Sequence, residues 1–165
     1  MKFKSSRFGE LDINESEIIN FGKGLLGFED YKRYALLKLD DKTPFRWLHS
    51  LDNENLAFIV IEPLQFMFEY NIEISSEDRN PLELADPADA LIYVTVSIPE
   101  DAEKMTANLQ GPLVINKKNK KAAQIISNDP EHDVRTSILA EIEKRNKRIV
   151  EYSESLAAKK QEAAK

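Results

Sequence analysis

Short runs of β-branched and aromatic residues, punctuated by Pro, Gly, Asn and Asp, fill the first 128 residues and predict strands. The clearest is Leu91-Ile92-Tyr93-Val94-Thr95-Val96-Ser97-Ile98. Its period of two places Ile92, Val94, Val96 and Ile98 on one dry face and Leu91, Tyr93, Thr95 and Ser97 on a half-wet one. Ala57-Phe58-Ile59-Val60-Ile61 lacks alternation and reads as a strand buried on both faces, ended by Glu62-Pro63. Ile72-Glu73-Ile74-Ser75 alternates over a shorter span and predicts an edge strand. Leu113-Val114-Ile115 and Ala123-Gln124-Ile125-Ile126 flank a Lys-rich connection, a hairpin with its charge at the tip. Further strands are expected around Lys2 to Phe8, Glu17 to Phe21, Tyr34 to Leu39, Phe45 to Leu51 and Met105 to Gln110, and a helical turn at Asn80 to Ala85. About ten short strands predict a mainly β fold, a small closed antiparallel barrel-like domain without exposed edges.

The pattern changes at Asn128-Asp129-Pro130-Glu131, where Asp129 can cap a helix and Pro130 fits its first position. A long helix is expected from here, with Val134, Ile138, Ile142, Ile149, Tyr152 and Leu156 as its narrow apolar row. The chain thus divides into a barrel domain over 1–128 and a charged helical extension over 129–165. A helix over the whole extension would run about 55 Å, whereas a body of 128 residues has a diameter of roughly 35 Å. Either the helix breaks, or its end projects and is available to a partner or a second copy.

Charge sharpens this division. Residues 1–103 carry 10 Lys and Arg against 21 Asp and Glu, residues 104–128 carry five lysines and no acid, and residues 129–165 carry eight of each sign. The acidic body favours encounter with basic partners and disfavours nucleic acid. Lys117, Lys118, Lys120 and Lys121 belong to the hairpin tip, which explains them without RNA. No apolar run approaches the length of a membrane span, and the opening Met1 to Ser5 leads into no apolar signal region, so the expected location is the cytoplasm.

Candidate chemistry is sparse. The chain has no cysteine and two histidines, His49 and His132, far apart in sequence. This excludes a thiolate site and a His pair at metal-ligand spacing. A hydrolytic or small-molecule-binding barrel would have to use His49 and nearby acids. His49 alternates with Phe45 and Trp47, which favours packing in or beside the core. Gly22, Gly24 and Gly27 mimic a dinucleotide loop, but strands follow and no βαβ unit appears, so a tight turn with positive φ is the expected role. No cofactor or metal is expected.

Phe21-Gly22-Lys23-Gly24-Leu25-Leu26-Gly27-Phe28-Glu29 is the most distinctive stretch, and it resembles the opening signature of the FliW family, bacterial flagellar assembly factors. The likeness continues through Phe45 to Leu51, Leu56-Ala57-Phe58 leading to Glu62-Pro63, Tyr70, Val94-Thr95-Val96, Asn108-Leu109 with Pro112, Ile115-Asn116 and Gln124-Ile125. The resemblance implies a small, β-rich, non-enzymatic regulator held by flagellin. Once flagellin is exported, the freed factor binds the carbon storage regulator CsrA, an RNA-binding translational repressor, away from its RNA surface, and flagellin mRNA is released. Leu26 stands where the family usually has proline, and the charged tail is longer than the family leads one to expect.

For partner electrostatics the candidates are Glu62, Glu69, Glu73, Glu77 and Asp78, an acidic series along and beyond the expected edge strand, with ordinary solvated acids as the competing reading. Phe21, Phe28, Trp47 and Phe58 are candidate contact anchors, but their strand-like spacing favours core packing. Gly24 and Gly27 are expected to serve a turn, and Asn108 and Pro112 to shape a strand end, with partner contacts from a loop there as the alternative.

Overall fold

A computed structural model describes residues 1–38 and 40–163, with side chains to Lys160. Among the described residues eleven strands are formed: β1 Lys2–Ser5, β2 Gly9–Asp12, β3 Ile19–Phe21, β4 Arg33–Leu37, β5 Arg46–Ser50, β6 Ala57–Ile61, β7 Ala90–Ser97, β8 Thr106–Ala107, β9 Leu113–Asn116, β10 Lys121–Gln124 and β11 Thr136–Ser137. Two α-helices accompany them, α1 Ser76–Arg79 and α2 Ile138–Ala163. Seven strands close on themselves in the order β7-β6-β5-β4-β3-β10-β9, with β9 pairing back onto β7. Every pairing in this ring is antiparallel except β3 with β10, where Asn20 lies opposite Lys121.

Each of the seven strands sends at least one side chain into the lumen. Ile19, Phe21, Tyr34, Leu48, Val60, Tyr93, Leu113, Ile115 and Ala122 form one buried cluster, closed at one end by Leu25 and Phe28. Phe21, Tyr34, Val60 and Leu113 have no exposed surface. Burying Phe21, Val60 or Leu113 stabilises the fold by roughly 1.5–3 kcal/mol each, while the gain at Tyr34 is offset by its buried hydroxyl, which has no hydrogen-bond partner among the described residues.

The outside of the barrel is largely covered as well. The β1–β2 hairpin lays Phe3, Leu11 and Ile13 over Ala35 and Leu51. Ile138 and Ile142 of α2 join Phe66 and Met67 over Val94, Val96 and Ala107. A strap over residues 72–84 places Ile72, Ile74, Leu82 and Leu84 against Ile92, Val114 and Ile125. β7 therefore divides into the two expected faces, but the face expected to be half-wet turns Leu91 and Tyr93 toward the lumen, and Ile98 lies past the strand end, 46% exposed. β6 is less enclosed than its unbroken apolar run suggests, since Ala57, Phe58 and Ile59 are only half-buried.

Four further expectations change. Lys2 to Phe8 is not one strand, because the chain turns after Ser5 and returns as β2. The strand expected to reach Leu39 ends at Leu37, and Leu39 itself lies outside the described residues. Ile72 to Ser75 makes no ladder; its alternation reflects an extended strap with Ile72 and Ile74 packed inward. The long helix begins at Ile138, not near Asp129. Asp129 Oδ1 accepts only from the Glu131 amide, and the Leu109 amide donates to the Asp133 carbonyl, so this segment is tied to the barrel before a helix can propagate. Val134 is consequently a loop residue, 54% exposed, and Ser137 caps the helix by accepting from the Ala140 amide. Ala164 and Lys165, the end of the expected extension, also lie outside the described residues.

Candidate functional site

Segments far apart in sequence meet at one end of the barrel. In the turn after β3, the Gly24 amide donates to the Phe21 carbonyl and the Phe28 amide to the Leu25 carbonyl, with Gly24 at φ +67° and Gly27 at φ +86°. Positive φ is what glycine supplies without steric cost. Leu26, at the tip of the turn, is 62% exposed. The Glu29 carboxylate accepts from the Gly27 amide, and these backbone contacts hold its carboxyl below the usual range.

Gln124, at the end of β10, fastens this turn to the loop after β8. Its Oε1 accepts from the Leu26 amide at 2.9 Å, and its Nε2 donates to the Gly111 carbonyl at 3.0 Å. Asn108 folds that second loop by accepting from the Gln110 and Gly111 amides, and the Pro112 carbonyl accepts from the Ile125 amide. Asn108 and Pro112 thus shape the loop between β8 and β9. The clamping role of Gln124 is not legible in the sequence, since its partners lie 98 and 13 positions away. Replacing Gln124 by Ala removes two hydrogen bonds and is expected to cost about 1–2 kcal/mol. Amide exchange at Leu26 should accelerate, and an unchanged rate would show that the turn is held otherwise.

The aromatic candidates are mainly structural. Phe21 is fully buried against Tyr34, and Phe28 packs edge-on to Phe58 at 5.1 Å. Trp47 and His49 share a face, as alternation predicts, and the β1–β2 hairpin covers it. Phe8 lies 5.3 Å from Trp47, Phe3 lies 5.1 Å from His49, and the Arg7 guanidinium stands over the Trp47 ring. His49 is 1% exposed. Its Nδ1 donates to the Ser50 carbonyl at 2.7 Å, so Nε2 accepts from Ser5 Oγ at 2.8 Å. Ser5 Oγ in turn accepts from the Arg7 and Phe8 amides. A hydrolytic or ligand-binding role needs His49 at an open pocket wall, and its burial and full pairing remove that reading.

No edge strand carries the acidic series: Glu73, Glu77 and Asp78 lie on the strap, and Glu62 and Glu69 precede it. Glu62 is half-buried against Tyr93. Burial pushes the Tyr93 phenol up and the Glu62 carboxylate adds to this, while Arg46 opposes it. Glu69, Glu73 and Glu77 are exposed. Asp78 is half-buried and accepts from the Ser75 hydroxyl, whose oxygen accepts from the Asp78 amide and caps α1. The strap end is locked to the Lys-rich hairpin. Asn116 donates to the Leu82 carbonyl, Lys121 pairs with Glu83 at 2.7 Å, and Lys118 pairs with Asp89 at 3.2 Å. Two of the four clustered lysines are therefore matched by acids.

His132 is 8% exposed and stacks on Tyr70 with ring centroids 4.6 Å apart. His132 Nδ1 is paired with Ser127 Oγ, and the Tyr70 hydroxyl donates to the Leu109 carbonyl. Burial, with Asp129 adding, pushes that phenol up. Among the described residues there is no group of three or more His, Cys, Asp or Glu side chains placed to hold a metal, and no helix is long and apolar enough to cross a membrane.

A filled, closed seven-stranded barrel with its histidines in structural pairs, and an outer strap that turns acids to solvent, defines a small β-barrel protein. The FliW protein family profile matches residues 2–138. Flagellar assembly factor FliW of Treponema denticola is 45% identical over 142 residues, covering 86% of this chain and 96% of the relative. Its counterpart from Leptospira biflexa is 42% identical, covering 82% and 90% respectively. A crystal structure of the flagellar assembly factor FliW superposes with a TM-score of 0.76 at 30% identity, covering 84% of this chain and 96% of the other. The chain belongs to the FliW family of flagellar assembly factors.

Proposed function

We propose that this protein is a non-enzymatic, cytoplasmic regulator of flagellar assembly that binds the translational repressor CsrA, antagonises its hold on flagellin mRNA, and is itself sequestered by flagellin. The observation that carries this reading is the strap. Ile72 and Ile74 anchor it to the barrel while Glu73 and Glu77 face solvent. Negative charge held on a fixed backbone suits a basic protein partner and repels RNA. The membership in a family of flagellar assembly factors supports the same reading. Glu62, engaged with Tyr93, contributes less to this surface than Glu69, Glu73 and Glu77.

Isothermal titration with purified CsrA and purified flagellin, singly and in competition, tests it. The Glu73→Lys/Glu77→Lys double variant should weaken CsrA binding by about tenfold or more, as should raised salt. Absence of heat with both partners would sink the proposal, and unchanged affinity in the double variant would remove the strap from the interface.

A further inference from the structure

The outer half of α2 leaves the barrel carrying the row of a helix pair. Ile138, Ile142, Arg145, Ile149, Tyr152 and Leu156 follow one another at spacings of three and four, the a and d positions of a heptad. The first three face the body. Ile138 and Ile142 join the outer core, Arg145 Nη1 donates to the Gln65 carbonyl at 2.7 Å, and nearby Arg148 stands 4.5 Å over the Phe68 ring. From Asn146 to Lys160 every residue is exposed, with Ile149 at 46%, Tyr152 at 62% and Leu156 at 42%. A free helix of this length is marginal in water.

The charges indicate what fits there. Glu141 and Glu143 form an acidic block, Lys144, Arg145, Lys147 and Arg148 a basic one, Glu151 and Glu154 a second acidic one, and Lys159 and Lys160 a second basic one. A parallel, in-register second copy sets like against like along the whole helix. An antiparallel copy crossing between Val150 and Glu151 sets each block beside its opposite. That register also places Ile149 against Tyr152 of the partner subunit, alternate a and d positions of an antiparallel pair, and brings Leu156 level with Arg145 of the partner subunit, at the helix foot. Charge and apolar spacing thus select one register independently. The helix foot offers a landing place, an open cleft of about 510 Å³ beside Phe68, which is 44% exposed.

We infer that α2 is a self-association element, pairing antiparallel with α2 of a second copy of this chain. This does not rest on the regulatory reading above. Light scattering on the full chain at up to about 100 μM should give a dimer, and Ile149→Glu/Leu156→Glu should raise its dissociation constant at least tenfold, about 1.4 kcal/mol, while the far-ultraviolet dichroism of the barrel is kept. The absence of native cysteine allows a geometric check. Tyr152→Cys should cross-link efficiently, since the two copies lie about 5 Å apart along the axis there, whereas Lys159→Cys should not, at about 25 Å. A monomer, a dimer that survives removal of 149–165, or equal cross-linking at both positions overturns the inference. So does a monomer whose α2 becomes protected from exchange only on adding purified CsrA or flagellin, which would give the row to that partner.

Discussion

Gly24→Ala is expected to lower stability by about 3 kcal/mol or more, with Tm falling by roughly 6–12 °C. Two effects add. The backbone sits at φ +67°, where an L side chain costs about 1–2 kcal/mol. A Cβ there would also lie 2.6 Å from Glu29 Cα and 2.8 Å from the Glu29 carbonyl oxygen. Both are backbone atoms, so no rotamer change relieves the contact and the turn must open. Opening it draws Leu25 and Phe28 away from the end of the lumen. Gly27→Ala is the control. It shares the positive φ, at +86°, but nothing lies within 4 Å of its Cβ, so only the conformational cost remains, about 1–2 kcal/mol. Urea unfolding of the two variants separates the effects, and equal losses would show that the close approach to Glu29 carries no weight.

His49→Ala is expected to cost about 3–5 kcal/mol, because it opens a cavity beneath Phe3 and Phe8 and leaves the Ser5 hydroxyl and Ser50 carbonyl without their partner. Ser5→Ala should cost about 2 kcal/mol, since the Arg7 and Phe8 amides lose their acceptor as well. The two residues act as one unit joining the β1–β2 hairpin to β5, so a double-mutant cycle should show coupling of about 1 kcal/mol. Additive losses would refute the unit. The folded fraction of His49→Ala should give the same titration with purified CsrA as the unaltered chain, because the ring lies under the hairpin and reaches no surface.

What the sequence reveals follows the range over which each signal acts. β7 and the β9–β10 hairpin are legible because alternation and turn residues are local, and Gly24 and Gly27 announce their turn for the same reason. The lumen-facing side of β7 is not, since a barrel covered on its outside by hairpin, strap and helix buries both faces and blurs the period of two. Ile72 and Ile74 imitate a strand because an extended strap packs alternate residues just as a ladder does. The Asp129-Pro130 signal is a sound start for a helix, yet the pairing of Ser127 with His132 and of Leu109 with Asp133 binds that stretch to the barrel. The clamp made by Gln124 depends on two distant loops, and no local pattern encodes it. The acidic character of the candidate surface is plain from composition, while the engagement of Glu62 with Tyr93 required the fold.

The one parallel pairing among the described residues, β3 with β10, sets the order in which the molecule can be completed. Asn20 and Lys121 are joined across about a hundred positions, so during synthesis β3 has only β4 beside it until β10 has left the ribosome. A chain stopped before Lys121 has an unpaired strand edge and a lumen open to water on that side. The ring, the Gln124 clamp and the lock between hairpin and strap all wait on the same few residues, 116–124. The acidic face of the strap is therefore finished only when nearly the whole barrel sequence has been made.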